Sequence, residues 1–398
     1  MRNVLIAFIL ACCLIAAPLV SSGQNIGDVL GQRINTITTA VPFLMIAPDT
    51  RAGGMGDAGV STSPDANSMH WNPAKYAFAE KNIGVSINYT PWLRKLINDI
   101  DLGYLSAFYK LDDMQTVAMS LKYFSLGQVN FTDEIGEPIF TARPNEFSVD
   151  FAYARKLGEH LSGAIAARFI YSNLTQGHLV GGLETKPGVA VAADVSVFYT
   201  KQLDTRTPTT ISFGANISNI GNKISYSREL KSSFIPINLR LGPTVSFDLD
   251  DYNKLSFSLD INKLLVPTPP TYLRNENGQF VRDENGEFVI ERGRNPNRSV
   301  VSGIFQSFFD APGGFKEEIN ELTFSIGAEY WYSKQFAVRG GYFHEHATKG
   351  NRKYFSLGLG LKYSVFGLDF AYLVPLEQLS PLANILRFSL NFDLASIW

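Results

Sequence analysis

The stretch VPFLMIAPDTRAGGMGDAGVSTSPDANSMHWNPAKYAFAEKN, Val41 to Asn82, is rich in glycine and proline and also strongly apolar. It is too irregular for a strand, and its glycines and prolines interrupt any helix. A free surface loop would not normally display so many Phe, Met, Trp and Tyr side chains. Such a segment needs an enclosure, and a long series of alternating strands follows it. We therefore predict that residues 24–82 form an N-terminal extension and plug, inside a barrel formed by residues 83–398.

The composition fits a membrane barrel better than a soluble domain. Of 398 residues, 45% are hydrophobic and 13% aromatic, while only 18% are charged, which is below the usual soluble share. The net charge of −2 offers no basic field that would attract nucleic acid. Beyond the N-terminus there is no run of 18 apolar residues, so a helical membrane protein is excluded.

The first 23 residues have the pattern of a secretory signal peptide. Arg2 provides the positive start, an apolar run follows, and small residues precede Gln24. A lipoprotein signal ending at Cys12 is the alternative, but the apolar run continues past that residue. Cys12 and Cys13 both lie inside the signal, so the mature chain is expected to have no disulfides, zinc–thiolate sites or cysteine nucleophiles. The chain is expected to be exported.

Period-2 alternation predicts fourteen strands after the plug. They are 83–92, 100–110, 115–126, 146–156, 160–172, 188–201, 209–219, 235–249, 253–265, 321–333, 335–346, 353–364, 367–375 and 385–395. The connections alternate between short turns and long loops, which is the outer-membrane pattern and not that of a soluble β-sandwich, the alternative considered. We predict an all-β fold, a 14-stranded antiparallel transmembrane barrel with a plug in its lumen.

The opposite face of most strands carries one charged residue. On the second strand, the alternation assigns Leu102, Tyr104 and Phe108 to the outward face and Asp101 to the lumen. The predicted lumen charges are Asp101, Lys122, Asp150, Arg168, Asp194, Arg240, Asp260, Glu329, Arg339, Asp369 and Arg387. Because both signs occur, a paired polar network is expected rather than an ion-selective ring. Small residues between these charges leave room for the plug.

Several short motifs have both a chemical and a structural interpretation. Gly54–Gly59 matches G-x-G-x-x-G, but no strand–turn–helix context surrounds it, so tight turns in the plug are favoured over a dinucleotide site. Asn72 and Pro73 are expected to cap a short helix. His344 and His346 share a strand face but lack a visible third metal ligand. We predict no catalytic, cofactor or metal site, and hence no enzyme.

Loop 266–320 is expected to be extracellular and is the longest connection. It contains a repeat, NENGQFV at 275–281 and DENGEFV at 283–289, whose Asn-Gly pairs predict a projecting β-hairpin. The apolar segment Val300–Phe309 follows and is expected to form a short helix. Exposed aromatic residues on an outer loop favour a protein interface. The predicted partner-binding residues are Phe280, Phe288, Ile304, Phe305, Phe308 and Phe309.

The N-terminal motifs carry a family resemblance. MGDAGV at 55–60 followed by NPA at 72–74 resembles the plug signature of fourteen-stranded FadL-type barrels, and its plug residues here are Met55, Gly56, Trp71, Asn72 and Pro73. The longer blocks TITTAVPFL (36–44) and APDTRAGGMG (47–56) resemble the PorV (LptO) family of the type IX secretion system, in a likeness that runs from Asn35 to the C-terminus.

The resemblance implies an outer-membrane protein of a Gram-negative, Bacteroidota-like bacterium. It implies partners that composition could not reveal, besides outer-membrane lipid: a large translocon barrel, cargo proteins with C-terminal secretion domains, and a surface attachment complex. The role implied is that of a shuttle rather than a conduit. The alternative is a FadL-like transporter of small hydrophobic molecules, which needs a continuous apolar path ending at a plug opening or a strand kink. The polar lumen weighs against that alternative.

Overall fold

Fourteen antiparallel strands close into a barrel with a segment of the chain inside it. The computed structural model describes residues 34–93, 99–132, 135, 137–178, 184–227, 232–377 and 385–394. The predicted signal peptide, with Cys12 and Cys13, lies outside the described residues. Among the described residues, no helix is both long and apolar enough to cross a membrane.

The strands are numbered in chain order, including two short pairs in the loops. The barrel strands are β1 (Ile83–Pro91), β2 (Asp101–Lys110), β3 (Gln115–Ser125), β6 (Asn145–Lys156), β7 (Leu161–Asn173), β8 (Gly188–Leu203), β9 (Thr209–Gly221), β10 (Asn238–Asp248), β11 (Lys254–Leu264), β14 (Thr323–Tyr332), β15 (Phe336–His344), β16 (Lys353–Tyr363), β17 (Phe366–Pro375) and β18 (Leu386–Leu394). The loop pairs are β4 (Val129–Thr132) with β5 (Pro138–Ala142), and β12 (Thr271–Tyr272) with β13 (Ile290–Arg292).

The predicted strand count is confirmed, and the strand ends differ from the prediction by at most three residues. Each barrel strand pairs with its neighbour in sequence, and β1 pairs with β18 to close the ring. The turns after β2, β6, β8, β10, β14 and β16 are short, and we call this the short-turn end. The opposite end, where β11 connects to β14 through residues 265–322, is called the long-loop end.

The predicted face of β2 is wrong. Leu102, Tyr104 and Phe108 are buried and point into the lumen, whereas Leu105 and Tyr109 are exposed on the outside. Asp101 therefore lies on the outward face, where its carboxylate accepts a hydrogen bond from Tyr89 at 2.6 Å. The physical reason is the plug. Phe108 packs at 5.3 Å from the plug ring of Tyr76, so an apolar inward face is stabilised there.

Residues 34–82 run down the lumen from the long-loop end to the short-turn end. At the start, the Asn35 amide donates to Thr348 O at 3.0 Å, and at the finish Asn82 O accepts from Lys110 N at 2.8 Å. Between them lie four short helical segments. They are the 3-10 helix Pro42–Met45, the α-helices Thr50–Gly53 and Ser68–Trp71, and the 3-10 helix Pro73–Phe78.

Two apolar clusters hold the plug, one near each end. At the long-loop end Val41, Phe43 and Leu44 pack with inward barrel residues and with the loop residues Ile235 and Ile237. Near the short-turn end Met69, Ala74, Tyr76 and Ala77 pack against Phe108 and Phe198 and against a set of alanines. These are Ala118, Ala152, Ala154, Ala164 and Ala166. The small inward residues thus provide the room predicted for an inserted segment. Between the two clusters, the plug contacts the wall mainly through polar groups.

The repeat in the long loop does not form one projecting hairpin. Instead each copy makes its own tight turn, closed by bridges between Arg274 and Phe280 and between Arg282 and Phe288. Gly278 and Gly286 take left-handed φ angles of 76° and 78° at equivalent turn positions. The prediction expected a projecting hairpin from the Asn-Gly repeat, whereas each of the two Asn-Gly pairs closes a separate four-residue turn. The predicted helix within 300–309 is present as Val300–Gln306.

Candidate functional site

The centre of the plug is seated where the barrel wall lacks side chains. Gly56 has φ of 68°, and a Cβ there would lie 2.6 Å from Tyr342 N. Opposite, Gly327 and Gly341 leave the space that the backbone of Met55 fills, since a Cβ on either glycine would approach it within 2.7 Å. Met55 itself is buried. The G-x-G-x-x-G pattern is thus used for close backbone approach, which only glycine permits here.

Side chains of the wall satisfy backbone groups of the plug. Asp260 Oδ2 accepts from the amides of Gly59 and Val60 at 2.8 and 2.9 Å. Across the lumen, Ser356 Oγ accepts from Gly56 N at 2.7 Å, and Ser162 Oγ donates to Ala74 O at 2.7 Å. Buried backbone groups need such partners when no helix or sheet supplies them. The plug is therefore bonded to the wall on several sides.

Trp71, Asn72 and Pro73 form a second fixed point. Trp71 Nε1 donates to Asp49 Oδ1 at 2.6 Å. Asn72 caps the 3-10 helix through its acceptance from Ala74 N at 3.0 Å, and its Nδ2 donates to Val197 O at 3.0 Å. Pro73 opens that helix and is buried. The predicted cap is confirmed, and the same side chain also ties the plug to the wall.

Ion pairs add a charged link between plug and wall. The carboxylate of Glu329 receives Arg51 Nη2 at 2.7 Å and Arg339 Nε at 2.7 Å, so a plug arginine and a wall arginine share one acid. Asp57 of the plug receives Arg387 Nη1 at 2.6 Å. Of the predicted lumen charges, every one except Asp101 is buried. The expectation of a paired polar network is confirmed for most of them, while three bond neutral groups instead: Lys122, Arg240 and Asp260.

A second network joins three neighbouring strands. Arg168 of β7 donates to Asp150 of β6 at 2.5 Å and to Asp194 of β8 at 3.1 Å, and it also bonds Asn219 of β9. The pairing of β8 with β9 is irregular next to it, between Ala193 and Val195. The charges therefore occupy the inner side of this strand irregularity. No group of three or more His, Cys, Asp or Glu suited to a metal occurs in the described part of the chain, and His344 and His346 gain no third ligand there.

The long loop presents an apolar surface at the barrel rim. We call it the rim patch: Val301, Phe305, Phe309, Phe315 and Ile319. Phe305, Phe309 and Phe315 are 70%, 72% and 81% exposed. Of the predicted partner-binding residues, Phe308 is also exposed, but Ile304 is partly buried against the apolar cluster at the long-loop end. The sequence interpretation missed Phe315 and Ile319, which lie beyond the apolar run that it used.

The predicted Phe280 and Phe288 belong to a separate aromatic group. Their rings lie 5.3 Å apart and both contact Tyr272, at 6.1 and 5.6 Å. Each phenylalanine is covered on one side by an arginine of its own turn, Arg274 or Arg282, at 4.2 and 4.1 Å. These stacked cations stiffen the two turns but also cover part of the aromatic surface. Both rings nevertheless remain exposed.

Buried ion pairs fasten the rim patch to the barrel. Lys263 at the end of β11 donates to Glu318 at 3.0 Å and to Glu321 at 2.7 Å, and Lys349 bonds Glu321 at 3.0 Å. Lys349 also bonds Glu317 at 2.6 Å. All of these side chains except Glu317 are at most 10% exposed. Because buried pairs with several partners hold one geometry, the rim patch is presented on a fixed base. The sequence shows these charges but not their pairing.

Asp310 belongs to the same group of buried contacts beneath the rim patch, since its amide donates to Glu318. The protonation of its carboxylate depends on pH. Its Oδ2 accepts from Thr268 N at 3.2 Å and from Gln306 Nε2 at 3.3 Å. Burial raises the pKa of Asp310 to about 6. An unfolded aspartate has a pKa of about 3.9, so the stability from this group is greatest below about pH 4 and is lost as the pH rises through about 6.

Asp310→Asn should therefore raise the midpoint of thermal unfolding at pH 8, because the neutral amide keeps an acceptor oxygen without the cost of burying a charge. At pH 4.5 the variant and the parent should unfold at similar temperatures. Thermal unfolding followed by tryptophan fluorescence at both pH values measures this difference. A variant that is less stable than the parent at pH 8 would contradict the assignment.

Comparisons with known proteins agree with this architecture. No curated protein sequence matches the chain. Among solved structures, the P. putida toluene transporter TodX is similar over 87% of this chain and 99% of that chain, with 11% identity and a TM-score of 0.51, which shows a shared fold. A P. aeruginosa FadL homologue covers 90% of this chain and 99% of that chain, with 12% identity and a TM-score of 0.44.

A family model described as "Type IX secretion system protein PorV" matches residues 30–271, more than half of the 398 residues. The match includes the plug and the strands through β11 and ends at residue 271, just before the two turns of the loop repeat, so it is shorter than the predicted likeness to the C-terminus. The barrel and the family together indicate an outer-membrane component of type IX secretion. The chain belongs to the PorV family of type IX secretion system proteins.

Proposed function

We propose that this protein is a shuttle of type IX secretion. It binds the large translocon barrel, accepts cargo through the cargo's C-terminal secretion domain, and passes it to the surface attachment complex. The observation that carries this proposal beyond family membership is the rim patch, a group of exposed apolar side chains held on buried ion pairs, since exposed apolar groups of this kind mark interaction sites. The barrel lumen takes no part in the transfer, and the rim does.

The contacts within the barrel support a non-conducting role. The plug is bonded to the wall by Asp260, Ser356 and Asn72 and is further held by the Glu329 and Asp57 ion pairs. Opening such a plug would break these hydrogen bonds and ion pairs together and leave buried groups of the wall without partners, and separating one buried pair already costs about 3–5 kcal/mol. The plug therefore acts as a permanent seal, and catalysis is not part of the role.

The long-loop end faces the outside of the cell in this proposal, because outer-membrane barrels place short turns in the periplasm. Asn35 donates to Thr348 O through its backbone amide and to Glu317, beneath the rim patch, through its side chain. The segment that enters the plug therefore also begins on the outer side. An epitope inserted directly before Ile34 should then be labelled by antibody on intact cells, while an epitope in turn 204–208 should be labelled only after permeabilisation. The reverse labelling would contradict this orientation.

Deletion of the gene in the native host tests the shuttle role. Cargo proteins with C-terminal secretion domains should accumulate in the periplasm and disappear from the surface, and the plasmid-borne chain should restore them. Cell fractionation with immunoblotting measures both pools. Normal surface display in the deletion strain would rule out the proposal.

A transporter of small hydrophobic molecules is the second candidate, and the observation in its favour is the irregular β8–β9 pairing, where a solute could leave the barrel sideways. The inner side of that irregularity is filled by Arg168, Asp194 and Asn219, which are charged or polar. An apolar solute would have to displace buried ion pairs to reach it. If cells that contain this barrel take up a labelled hydrocarbon and cells that lack it do not, the transporter role is supported.

A further inference from the structure

A partly open cavity lies between the plug and the wall near the long-loop end. Its volume is about 120 Å³. Plug residues Ile37, Met45 and Trp71 form one side, and residues of β10, β11 and β14–β16 form the other. A cavity of roughly 150 Å³ holds a molecule the size of benzene, so this one suits a ligand of about six heavy atoms.

One cation in this cavity has no charged partner. The inward arginines with carboxylate partners are Arg51, Arg168, Arg339 and Arg387. Arg240, only 6% exposed, forms no such pair within the described part of the chain. Its Nε donates to Asn262 Oδ1 at 2.7 Å, its Nη1 donates to His70 O at 3.1 Å, and the guanidinium lies 4.6 Å from the Trp71 ring centre. A planar fork held in this way is prepared for a carboxylate.

Two further polar atoms lining the cavity lack partners among the described residues. They are Asn238 Oδ1 and Ser325 Oγ, in side chains that are 1% and 0% exposed. Buried polar atoms are normally hydrogen-bonded, so these two can form a hydrogen bond with a group that enters the cavity. The three acids at the cavity are already paired, since Glu321 bonds Lys349, Glu345 bonds Arg352 and Asp57 bonds Arg387. The unpaired charge of the cavity is therefore positive.

We propose that this cavity binds a small organic acid carrying a hydroxyl group. The carboxylate pairs with the Arg240 guanidinium, and the hydroxyl donates to Asn238 Oδ1 and accepts from Ser325. A short apolar part packs on Ile37, Met45 or Phe343, which complete the lining. The ligand chemistry is thus polar and anionic, unlike the hydrophobic solutes considered for the lumen as a whole.

Three matched probes test the proposal on the purified full-length barrel in detergent. Lactate carries the carboxylate and the hydroxyl, propionate lacks the hydroxyl, and lactamide lacks the charge. Saturation-transfer NMR titrations should show lactate binding at millimolar concentration. Lactamide should bind about tenfold more weakly or not at all, because a charge-assisted pair is worth at least that factor. Propionate should fall between the two.

Variants locate the binding. Arg240→Gln should weaken lactate binding by about tenfold or more, while Arg206→Gln, on an exposed turn, should leave it unchanged. Heat-dependent migration on gels shows whether each barrel is folded. If Arg240→Gln does not fold, Ser325→Leu fills the cavity and should cause the same loss. The proposal is overturned if lactate shows no saturation transfer, if lactamide binds as well as lactate, or if lactate affinity survives in the folded variant.

Discussion

Replacing Arg168 with methionine should lower the free energy of unfolding by about 3–5 kcal/mol, because it leaves two buried carboxylates without their cation. Asp150 and Asp194 are 3% and 1% exposed, and they flank Arg168 on the adjacent strands. Each retains only neutral donors, Ser120 for Asp150 and the amide of Asn219 for Asp194. Urea unfolding of the barrel in lipid vesicles, followed by gel mobility, measures the loss.

The triple variant Arg168→Met, Asp150→Asn, Asp194→Asn is the matched control. It removes the charges together, and replacing a complete buried network by neutral residues is often close to neutral in stability. The triple variant should therefore recover most of what the single substitution loses. Equal instability of the two would mean that packing of the arginine stem, and not charge balance, makes the site important.

Substituting Phe305 and Phe309 together with serine should abolish cargo display while the barrel still inserts. Truncating a central aromatic residue of an interface costs about 2 kcal/mol or more, which is roughly a thirtyfold loss of affinity for each ring. Complementation of the deletion strain, with cargo measured in periplasmic and surface fractions, checks this. Two substitutions are preferred to removing the whole segment 300–309, because a deletion would also remove the packing of Gly303 on Phe234 and of Ile304 on the apolar cluster at the long-loop end.

The double substitution of Leu249 and Tyr252 with serine provides the control for that experiment. Both side chains are exposed and apolar, at 46% and 64%, but they lie in a turn at the short-turn end. Cargo display should be normal in this variant. Loss of display in both double variants would indicate a general surface defect and not a docking site on the rim.

The sequence predicts the barrel well because the lipid outside it requires an apolar side chain at every second position of each strand. That rule fails on β2, where the strand has apolar residues in both registers. Leu105 and Tyr109 face out, and Leu102 and Phe108 face in. The deciding contact is with Tyr76 of the plug, a residue more than 30 positions earlier, and alternation within one strand contains no information about it.

The site is less predictable for the same reason. The apolar run Val300–Phe309 is visible as a candidate surface, but Ile304 is turned towards the core by the short helix that it belongs to. The base of the rim patch depends on Lys263 meeting Glu318, 55 residues away, and no local pattern indicates such a pair. Likewise the sequence shows Arg240 only as one of several charged residues predicted to face the lumen. The structure adds that it bonds neutral acceptors and no carboxylate among the described residues.

Affinity purification of the tagged protein under mild detergent tests the shuttle role most directly. A sealed barrel that works through its rim patch should bring down a very large outer-membrane barrel in stoichiometric amount, and the Phe305→Ser, Phe309→Ser variant should lose it. If the wild-type protein is recovered alone even after cross-linking in intact cells, or if the variant retains the large barrel equally, the rim patch is not the proposed docking surface.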